Sequence, residues 1–264
     1  MNFKKLVSAL VVAGVCGTSA LAHAESPLSG NLNFVTDYLW RGQTQTWGKP
    51  AIQGGFDYNH ASGLFVGAWA SNVSGNSFTN GNGMELDIYG GYNGKITNDL
   101  SYQVKLVQYL YPGAKINVPT RDKYDSAELV LGLTYKFFNI GYSNMLTDFY
   151  GLNSNTAPGA LSGRGDSKGS DYIQFNINYE VADKLMLNLH AGKTRVKNYS
   201  ELNWKDYSIG VSKEVGGFNV GLTYTKTAGI SDYAKDNYFT AVAPNGDTKN
   251  LMDSRLFLSV GKTF

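Results

Sequence analysis

The segment Ile173-Gln174-Phe175-Asn176-Ile177-Asn178-Tyr179-Glu180 alternates apolar and polar side chains without a break. In a β-strand, successive side chains point to opposite faces, so this segment has one apolar face and one polar face. Similar alternation recurs along the chain, for example at 32–41, 52–59, 84–89 and 218–225. Patterning of period two over so much of the chain predicts an all-β protein.

About twelve strands are predicted from this alternation. They lie near 28–40, 50–59, 63–73, 84–93, 100–111, 124–136, 138–147, 170–181, 184–195, 204–213, 217–227 and 251–264. The connections alternate between short turns, such as 60–62 and 182–183, and long loops, such as 148–169 and 228–250. Short turns at one end and long loops at the other are typical of a transmembrane β-barrel. A soluble sandwich has no reason to alternate its loop lengths in this way.

The first 24 residues predict a secretory signal peptide. Lys4 and Lys5 form a basic region, residues 6–15 form a short apolar run, and Ala22-His23-Ala24 predicts cleavage before Glu25. The apolar run is too short to cross a membrane as a helix, and no longer apolar run follows it. Residues 25–264 are therefore expected to form one exported domain.

The composition excludes some classes of function. Removing Lys4 and Lys5 leaves 21 basic and 21 acidic residues, so no excess positive charge favours nucleic acid. The one cysteine, Cys16, lies in the signal peptide, which leaves the mature chain without disulfides. With few histidines and no mature cysteine, we predict no metal site and no cofactor.

Closure of the sheet follows from the solvent. In hydrocarbon, every backbone N–H and C=O must find a partner within the protein, which only a helix or a closed barrel achieves. The pattern excludes helices, so we predict a transmembrane antiparallel up-and-down β-barrel in the bacterial outer membrane, in contact with its lipid. The last strand ends at Phe264, and a terminal phenylalanine resembles the signal that the barrel assembly machinery recognises.

Aromatic residues fall near both ends of the predicted strands, which predicts two girdles at the membrane interfaces. The long-loop girdle would contain Tyr38, Trp40, Tyr111, Tyr124, Tyr172, Trp204, Tyr207 and Tyr224. The short-turn girdle would contain Tyr58, Tyr92, Tyr102, Tyr135, Tyr179 and Phe218.

Charged residues on the strands identify the candidate lumen. An Arg or Lys on the lipid face costs about 2–4 kcal/mol at the midplane, so charges on the face opposite the apolar one should point inward. The predicted pore-lining residues are Asp37, Arg41, Glu85, Asp87, Lys105, Glu128 and Arg255. These residues either pair and brace the interior or line a wet channel. Inward-facing glycines, such as Gly141 and Gly192, would leave space beside them.

Catalytic motifs are weak. Acyl transfer or lipid hydrolysis needs a nucleophile with a base, usually histidine. His23 leaves with the signal peptide, His60 lies in a predicted turn, and His190 lies on a strand facing inward, without a Gly-x-Ser-x-Gly motif. No catalytic residue is assigned, and the protein is not expected to be an enzyme.

Several motifs resemble the TorF family of porins. They include Phe34-Val35-Thr36-Asp37-Tyr38-Leu39-Trp40-Arg41-Gly42, Gly67-Ala68-Trp69-Ala70-Ser71-Asn72-Val73, Glu85-Leu86-Asp87-Ile88-Tyr89-Gly90-Gly91-Tyr92 and Lys262-Thr263-Phe264. The similarity is dense over 34–113 and 207–264, and thin over about 148–200. The resemblance implies an outer-membrane barrel with a pore, and brings neither a solute nor catalytic residues.

The expected function is therefore a porin-like channel for passive diffusion of small solutes or ions. Two alternatives from other classes stay open: a structural or adhesive barrel without a conducting pore, and a lipid-modifying barrel enzyme centred on His190. A soluble periplasmic β-sandwich is a further, weaker alternative.

Overall fold

The computed structural model describes residues 27–116 and 122–264. The predicted signal peptide lies outside the described residues. The strands are β1 (Leu28–Val35), β2 (Leu39–Trp40), β3 (Gln43–Thr44), β4 (Ala51–Asn59), β5 (Leu64–Asn72), β6 (Met84–Lys95), β7 (Leu100–Leu110), β8 (Ser126–Tyr135), β9 (Phe138–Met145), β10 (Asp171–Ala182), β11 (Leu185–Arg195), β12 (Trp204–Val215), β13 (Phe218–Ala228), β14 (Thr240–Val242), β15 (Thr248–Asn250) and β16 (Arg255–Thr263). The described residues also include three single 3₁₀ turns, at Phe149–Gly151, Gly159–Leu161 and Ser200–Leu202, and one helix, α1 (Asp232–Asn237).

Twelve of these strands form one closed antiparallel barrel. The order around the barrel is β1-β4-β5-β6-β7-β8-β9-β10-β11-β12-β13-β16, and β16 returns to β1. Each barrel strand therefore pairs with the barrel strands that precede and follow it in the chain. The β2–β3 and β14–β15 hairpins form two separate sheets between barrel strands. The predicted fold class and the number of strands are confirmed.

The first and last strands close the barrel. β1 pairs with β16 from Asn31↔Thr263 to Val35↔Ser259. Beyond this ladder, Gly30 N–H donates to the Phe264 carbonyl at 2.7 Å, and Phe264 N–H donates to the Gly30 carbonyl at 2.9 Å. The terminal residue therefore takes part in closing the sheet, while its side chain is 69% exposed.

The two faces of the wall follow the alternation in the sequence. On β13, Phe218, Val220, Leu222 and Tyr224 are exposed on the outside of the barrel, while Thr225 points inward and is buried. A continuous apolar exterior is what a hydrocarbon environment requires. In the described residues, no helix is long and apolar enough to cross a membrane.

The first strand is shorter than predicted. We expected it to span 28–40, but β1 ends at Val35 and the chain leaves the wall there. Thr36 still bonds to the neighbouring strand, through its N–H to the Leu258 carbonyl at 3.0 Å. Asp37 and Arg41 therefore lie in a connection that enters the barrel. The prediction that Asp37 sits on the first strand was wrong, whereas Arg41 lies in a connection, as predicted.

The two predicted aromatic girdles have different outcomes. The residues of the short-turn girdle are all exposed on the barrel surface: Tyr58, Tyr92, Tyr102, Tyr135, Tyr179 and Phe218. At the long-loop end, Tyr207 and Tyr224 are exposed, but five others are buried inside the barrel: Tyr38, Trp40, Tyr111, Tyr172 and Trp204. Tyr172 and Trp204 lie on the inward face of their strands, so the long-loop girdle was wrong for these five residues.

The long loops pack together across part of the long-loop end. Phe149, Leu152 and Leu161 of the 146–170 connection form one buried cluster with Trp204 of β12 and Phe239 of the 229–254 connection. Trp204 and Phe239 meet edge to face, with ring centroids 5.5 Å apart. The segment 148–169 was expected to be external or to fold into the lumen. It contributes Phe149, Leu152 and Leu161 to this buried cluster.

The assigned faces predict a difference between two adjacent positions on β13. Leu222→Arg places a charge in lipid near the middle of the strand, at a cost of about 2–4 kcal/mol. Thr223→Arg places the same side chain in the polar interior. We expect Leu222→Arg to reduce refolding into lipid vesicles strongly and Thr223→Arg to reduce it little, measured as the fraction migrating as folded barrel on unheated gels. Equal yields would contradict the register.

Candidate functional site

A short hairpin inside the barrel is the main feature of the lumen. β2 and β3 pair through Leu39↔Thr44 and Trp40↔Gln43, which leaves Arg41 and Gly42 as the two residues of the turn. Their φ angles are +49° and +79°. Positive φ at both central positions defines a type I′ turn, the form that best matches the twist of two paired strands. Arg41 is therefore held at the tip of a regular hairpin.

The hairpin tip reaches the wall opposite the strands from which it departs. Arg41 Nη2 donates to Glu128 Oε1 of β8 at 2.6 Å. The guanidinium also stacks on the ring of Tyr172 of β10, 4.1 Å from its centroid. The Arg41 carbonyl accepts a hydrogen bond from Trp204 Nε1 of β12 at 2.8 Å. The hairpin thus crosses the lumen and is anchored at both ends.

Asp37 organises the base of the hairpin. Its Oδ1 accepts hydrogen bonds from Thr44 Oγ1 at 2.5 Å and from Thr46 Oγ1 at 3.0 Å. Its Oδ2 lies 3.4 Å from Arg255 Nε of β16. Asp37 follows the end of β1, and burial raises the pKa of its carboxyl above the ordinary value, while the Thr44 hydrogen bond and the Arg255 charge oppose this rise.

Three carboxylates lie along the β6–β8 side of the interior. Tyr111 donates to Glu85 at 2.8 Å, and Tyr109 donates to Glu128 at 2.9 Å. Asp87 is also buried, and its oxygens accept no hydrogen bond from the described residues. Lys105 lies on the same side, 5.6 Å from the ring centroid of Tyr89.

The buried charges are mainly acidic. Among the described residues, the buried charged side chains are Asp37, Glu85, Asp87, Glu128 and Asp206 on the acidic side and Arg41 and Lys105 on the basic side. Two of the basic residues predicted for the lumen meet predicted acids there, because Arg41 pairs with Glu128 and Arg255 lies next to Asp37. All seven predicted pore-lining residues lie inside the barrel, and that they line a conducting path stays a prediction.

A small cavity lies beside the hairpin, against the wall formed by β10–β13 and β16. It is lined by Leu39, Arg41, Gly42, Tyr172, Gln174, His190, Asp206, Ser208, Thr223, Thr225 and Phe257. Of the seven predicted pore-lining residues, Arg41 alone is among these lining residues. His190 lies in the lumen, as its position on the strand predicts, whereas Asp206 was not among the predicted residues. The alternation along β12 could have located it. Tyr207 faces outward, so Asp206, the residue before it, faces inward together with Trp204.

His190 belongs to a hydrogen-bonded network within this cavity wall. Its Nε2 lies 2.6 Å from Asp206 Oδ2 and 2.9 Å from the hydroxyl of Tyr172, which itself donates to Asp206 at 3.1 Å. Its Nδ1 lies 2.6 Å from Asn176 Oδ1. Both ring nitrogens are thus bound to side chains of the two neighbouring strands, β10 and β12, and no serine or threonine hydroxyl among the described residues bonds to the ring.

Two glycines allow large side chains to occupy the interior. A Cβ at Gly141 would lie 2.7 Å from Gln174 Nε2, and a Cβ at Gly192 would collide with the hydroxyl of Tyr172. We expected these glycines to leave open space in the lumen. Gln174 and Tyr172 of β10 occupy that space instead. The Tyr172 ring, which lies against Gly192, stacks with the Arg41 guanidinium.

Comparison with known families places the chain in a group without an assigned activity. Residues 20–264 match the model of the family described as "Bacterial protein of unknown function (Gcw_chp)". The chain belongs to this family. The comparison with curated proteins found no match.

A solved porin structure shares the fold of this chain. The KdgM porin in complex with disordered oligogalacturonate aligns with a TM-score of 0.52 at 7% identity, over 89% of this chain and 99% of that chain. The NanC porin aligns with a TM-score of 0.48 at 7% identity, over 89% of this chain and 98% of that chain. At such low identity, the similarity to KdgM shows the fold alone.

The Arg41–Glu128 pair predicts a specific pattern of stability. Breaking a buried ion pair by removing one partner costs about 3–5 kcal/mol, because the other charge stays buried without compensation. We expect Arg41→Gln to lower the free energy of unfolding in lipid more than the double variant Arg41→Gln with Glu128→Gln. Urea titration followed by tryptophan fluorescence measures this free energy.

A matched control is available in the loops. Arg164 and Glu201 form an ion pair of the same length, 2.6 Å, whose side chains are 35% and 33% exposed. Arg164→Gln should change stability by no more than about 1 kcal/mol, since exposed pairs contribute little. A loss at Arg41→Gln as small as that at Arg164→Gln would show that the hairpin is not anchored through this pair.

Proposed function

We propose that this protein is an outer-membrane channel that passes small solutes by passive diffusion, and that the β2–β3 hairpin is its constriction. The observation that carries the proposal is the hairpin tip, which crosses a closed barrel and is bound to the opposite wall through Arg41 and Glu128. A barrel that served only as a membrane anchor would not need a separate hairpin across its lumen. The fold shared with the KdgM porin supports the same function.

The membrane location is part of the proposal. The exterior carries exposed apolar residues on eleven of the twelve barrel strands, for example Leu32, Phe56, Leu106 and Ile209. The predicted signal peptide would deliver the chain to the periplasm, and Phe264 would present the closing strand to the barrel assembly machinery. We also propose, on the motifs given above, that the chain is a member of the TorF family.

The charge of the lumen favours cations over anions. Five buried acids face two buried bases among the described residues, and the Asp87 oxygens accept no hydrogen bond from those residues. A lumen lined by one sign of charge concentrates ions of the opposite sign. The channel is therefore expected to prefer cations and neutral solutes to anions.

One observation favours a second candidate function, a structural or adhesive barrel. The long loops bury Phe149, Leu152, Leu161 and Phe239 in a common cluster at the long-loop end. Packed loops suit a recognition surface as well as a narrow entrance. Channel measurements distinguish the two functions.

The enzyme alternative has less support. A lipid-modifying site would need a nucleophile beside His190 and access from the lipid. His190 is instead bonded to Asp206, Tyr172 and Asn176 on the inside of the barrel. We propose that this network has a structural role and contains no catalytic residue.

Removing the hairpin should open the channel. Tyr38 and Gln45 are already joined, since Gln45 N–H donates to the Tyr38 carbonyl at 2.8 Å, so residues 39–44 can be replaced by two glycines without moving the ends. We expect this variant to show a clearly larger single-channel conductance in planar bilayers than the unaltered protein. The physical reason is that the deletion removes the side chains that cross the lumen.

The matched control shortens a hairpin outside the lumen. Replacing Pro244, Asn245 and Gly246, in the turn between β14 and β15, by one glycine should leave the conductance unchanged. No conductance from either the unaltered protein or the 39–44 variant, when both are folded, would favour the structural function.

Selectivity should depend on the buried acids. Glu85→Gln together with Asp87→Asn should lower the ratio of cation to anion permeability, because two sources of negative potential in the lumen are removed. Reversal potentials in a salt gradient measure this ratio. Asp99→Asn together with Asp183→Asn, in exposed short turns, removes the same formal charge outside the barrel and should have little effect. An equal effect of both pairs would exclude Glu85 and Asp87 as determinants of selectivity.

A further inference from the structure

Three exposed lysines lie close together on the outside of the barrel, at its long-loop end. This lysine cluster consists of Lys193 of β11, Lys205 of β12 and Lys226 of β13. A residue next to each of them in the chain, Thr194, Asp206 or Thr225, is buried inside the barrel. Because adjacent side chains of a strand point to opposite faces, the lysine cluster points away from the lumen.

The strand register brings the three lysines together. Lys193 lies directly opposite Lys205 in the β11–β12 ladder. Lys205 lies opposite Ala228 in the β12–β13 ladder, which makes Lys226, two residues before Ala228, its diagonal neighbour. Opposite residues have Cβ atoms about 4.5–5.5 Å apart, and diagonal neighbours about 7–8 Å. Three positive charges therefore share one small area of the surface.

No acid among the described residues neutralises this charge. The side chains of the lysine cluster form no ion pair or hydrogen bond with any described residue. The acids on the three strands, Asp206 and Glu214, lie on the opposite face, and Asp171 of β10 is already bonded to Arg195 at 2.9 Å. Like charges directly opposite each other destabilise a sheet, and an anion from outside the protein would neutralise them.

The depth of the lysine cluster matches that of lipid headgroups. Tyr207 lies two residues from Lys205 toward the middle of β12, and Tyr224 lies two residues from Lys226 toward the middle of β13. Both rings are exposed on the outside, where aromatic residues mark the membrane interface. Two residues along a strand correspond to about 6.8 Å. The ammonium groups therefore lie just beyond the apolar band, at the level of the headgroups.

We propose that the lysine cluster binds the phosphate groups of a phosphorylated lipid in the leaflet at the long-loop end. A phosphate group offers several acceptor oxygens, so one group can bind both Lys193 and Lys205 and relieve their repulsion. The acyl chains lie against the exposed apolar side chains below, such as Ile209 and Leu222. The inference rests on the outer-membrane location in the proposed function, because long loops then face the outer leaflet.

Native mass spectrometry of the folded barrel in detergent micelles tests the proposal, because it counts single bound lipid molecules. The probes are bisphosphorylated lipid A, the same lipid after removal of both phosphates, and inorganic phosphate. We expect the bisphosphorylated lipid to bind much more tightly than the dephosphorylated one. Inorganic phosphate has no acyl chains and should not displace it at equal concentration.

Substitutions in the lysine cluster should weaken binding of bisphosphorylated lipid A in steps. We expect Lys205→Gln to weaken it about fivefold, and Lys193→Gln together with Lys205→Gln about 25-fold, as for the loss of one and two cations next to an anionic lipid surface. The substituted side chains are exposed and have no partner among the described residues, so these variants should fold.

Lys213 provides a matched control on the same strand. It is exposed on the same face as Lys205, eight residues further along β12 and therefore at the short-turn end. It has no ion pair with a described residue either. Lys213→Gln should leave binding of bisphosphorylated lipid A unchanged.

Thermal unfolding gives a second readout that does not depend on mass spectrometry. In vesicles of phosphatidylcholine, which carry no net charge, Lys205→Gln should not lower the unfolding temperature, because it removes the repulsion from Lys193. With bisphosphorylated lipid A in the vesicles, the same substitution should lower that temperature relative to the unaltered protein. An absence of this dependence on lipid would contradict the proposal.

The outcomes separate the lipid site from the channel. Equal binding of the two forms of lipid A, displacement by inorganic phosphate at equal concentration, or an equal loss at Lys213→Gln would overturn the lipid site. Single-channel recording tests the channel independently. A barrel that binds the lipid through the lysine cluster but does not conduct contradicts only the channel, and one that conducts without this binding contradicts only the lipid site.

Discussion

Closure of the sheet is the constraint on which the rest of the structure depends. A strand edge in hydrocarbon would leave backbone groups without partners, at a cost of several kcal/mol each, so β16 must return to β1. This requirement fixes the antiparallel order and the short connections at one end. It also fixes which face of every strand is apolar. The interior is then a closed space whose contents must come from inward-facing side chains or from a connection that turns inward.

Much of this architecture was predictable from the sequence because many of the barrel strands alternate with a period of two. Ile173 to Glu180 and Phe218 to Thr225 alternate without interruption, and the structure places them as the alternation indicates. The charged residues on the strands could be assigned to the inside by the same parity. The physical basis of the assignment is the free energy that a charged side chain costs on the lipid face.

The hairpin was not predictable in the same way. Residues 32–41 keep the alternating pattern beyond Val35, although the strand ends there and the chain turns into the lumen. The signals for the turn are a glycine after Arg41 and the threonines that bond to Asp37, and neither breaks the hydrophobic period. Parity also assigned Tyr38 and Trp40 to the lipid face, where side chains of a regular strand would lie. Contacts with β8, β10 and β12, distant in sequence, determine their actual position.

The same interactions that stabilise the hairpin also limit the lumen. Arg41 is held by an ion pair, a stacked ring and a backbone hydrogen bond, all directed at the far wall. Any motion that widened the path at this point would have to break a buried ion pair and leave the buried Glu128 without its cation, which is costly. Thermal motion of the tip is therefore an inefficient way to pass solute. A path for solute that keeps these contacts would have to run beside the hairpin, along the β10–β13 wall, while Arg41 stays bound.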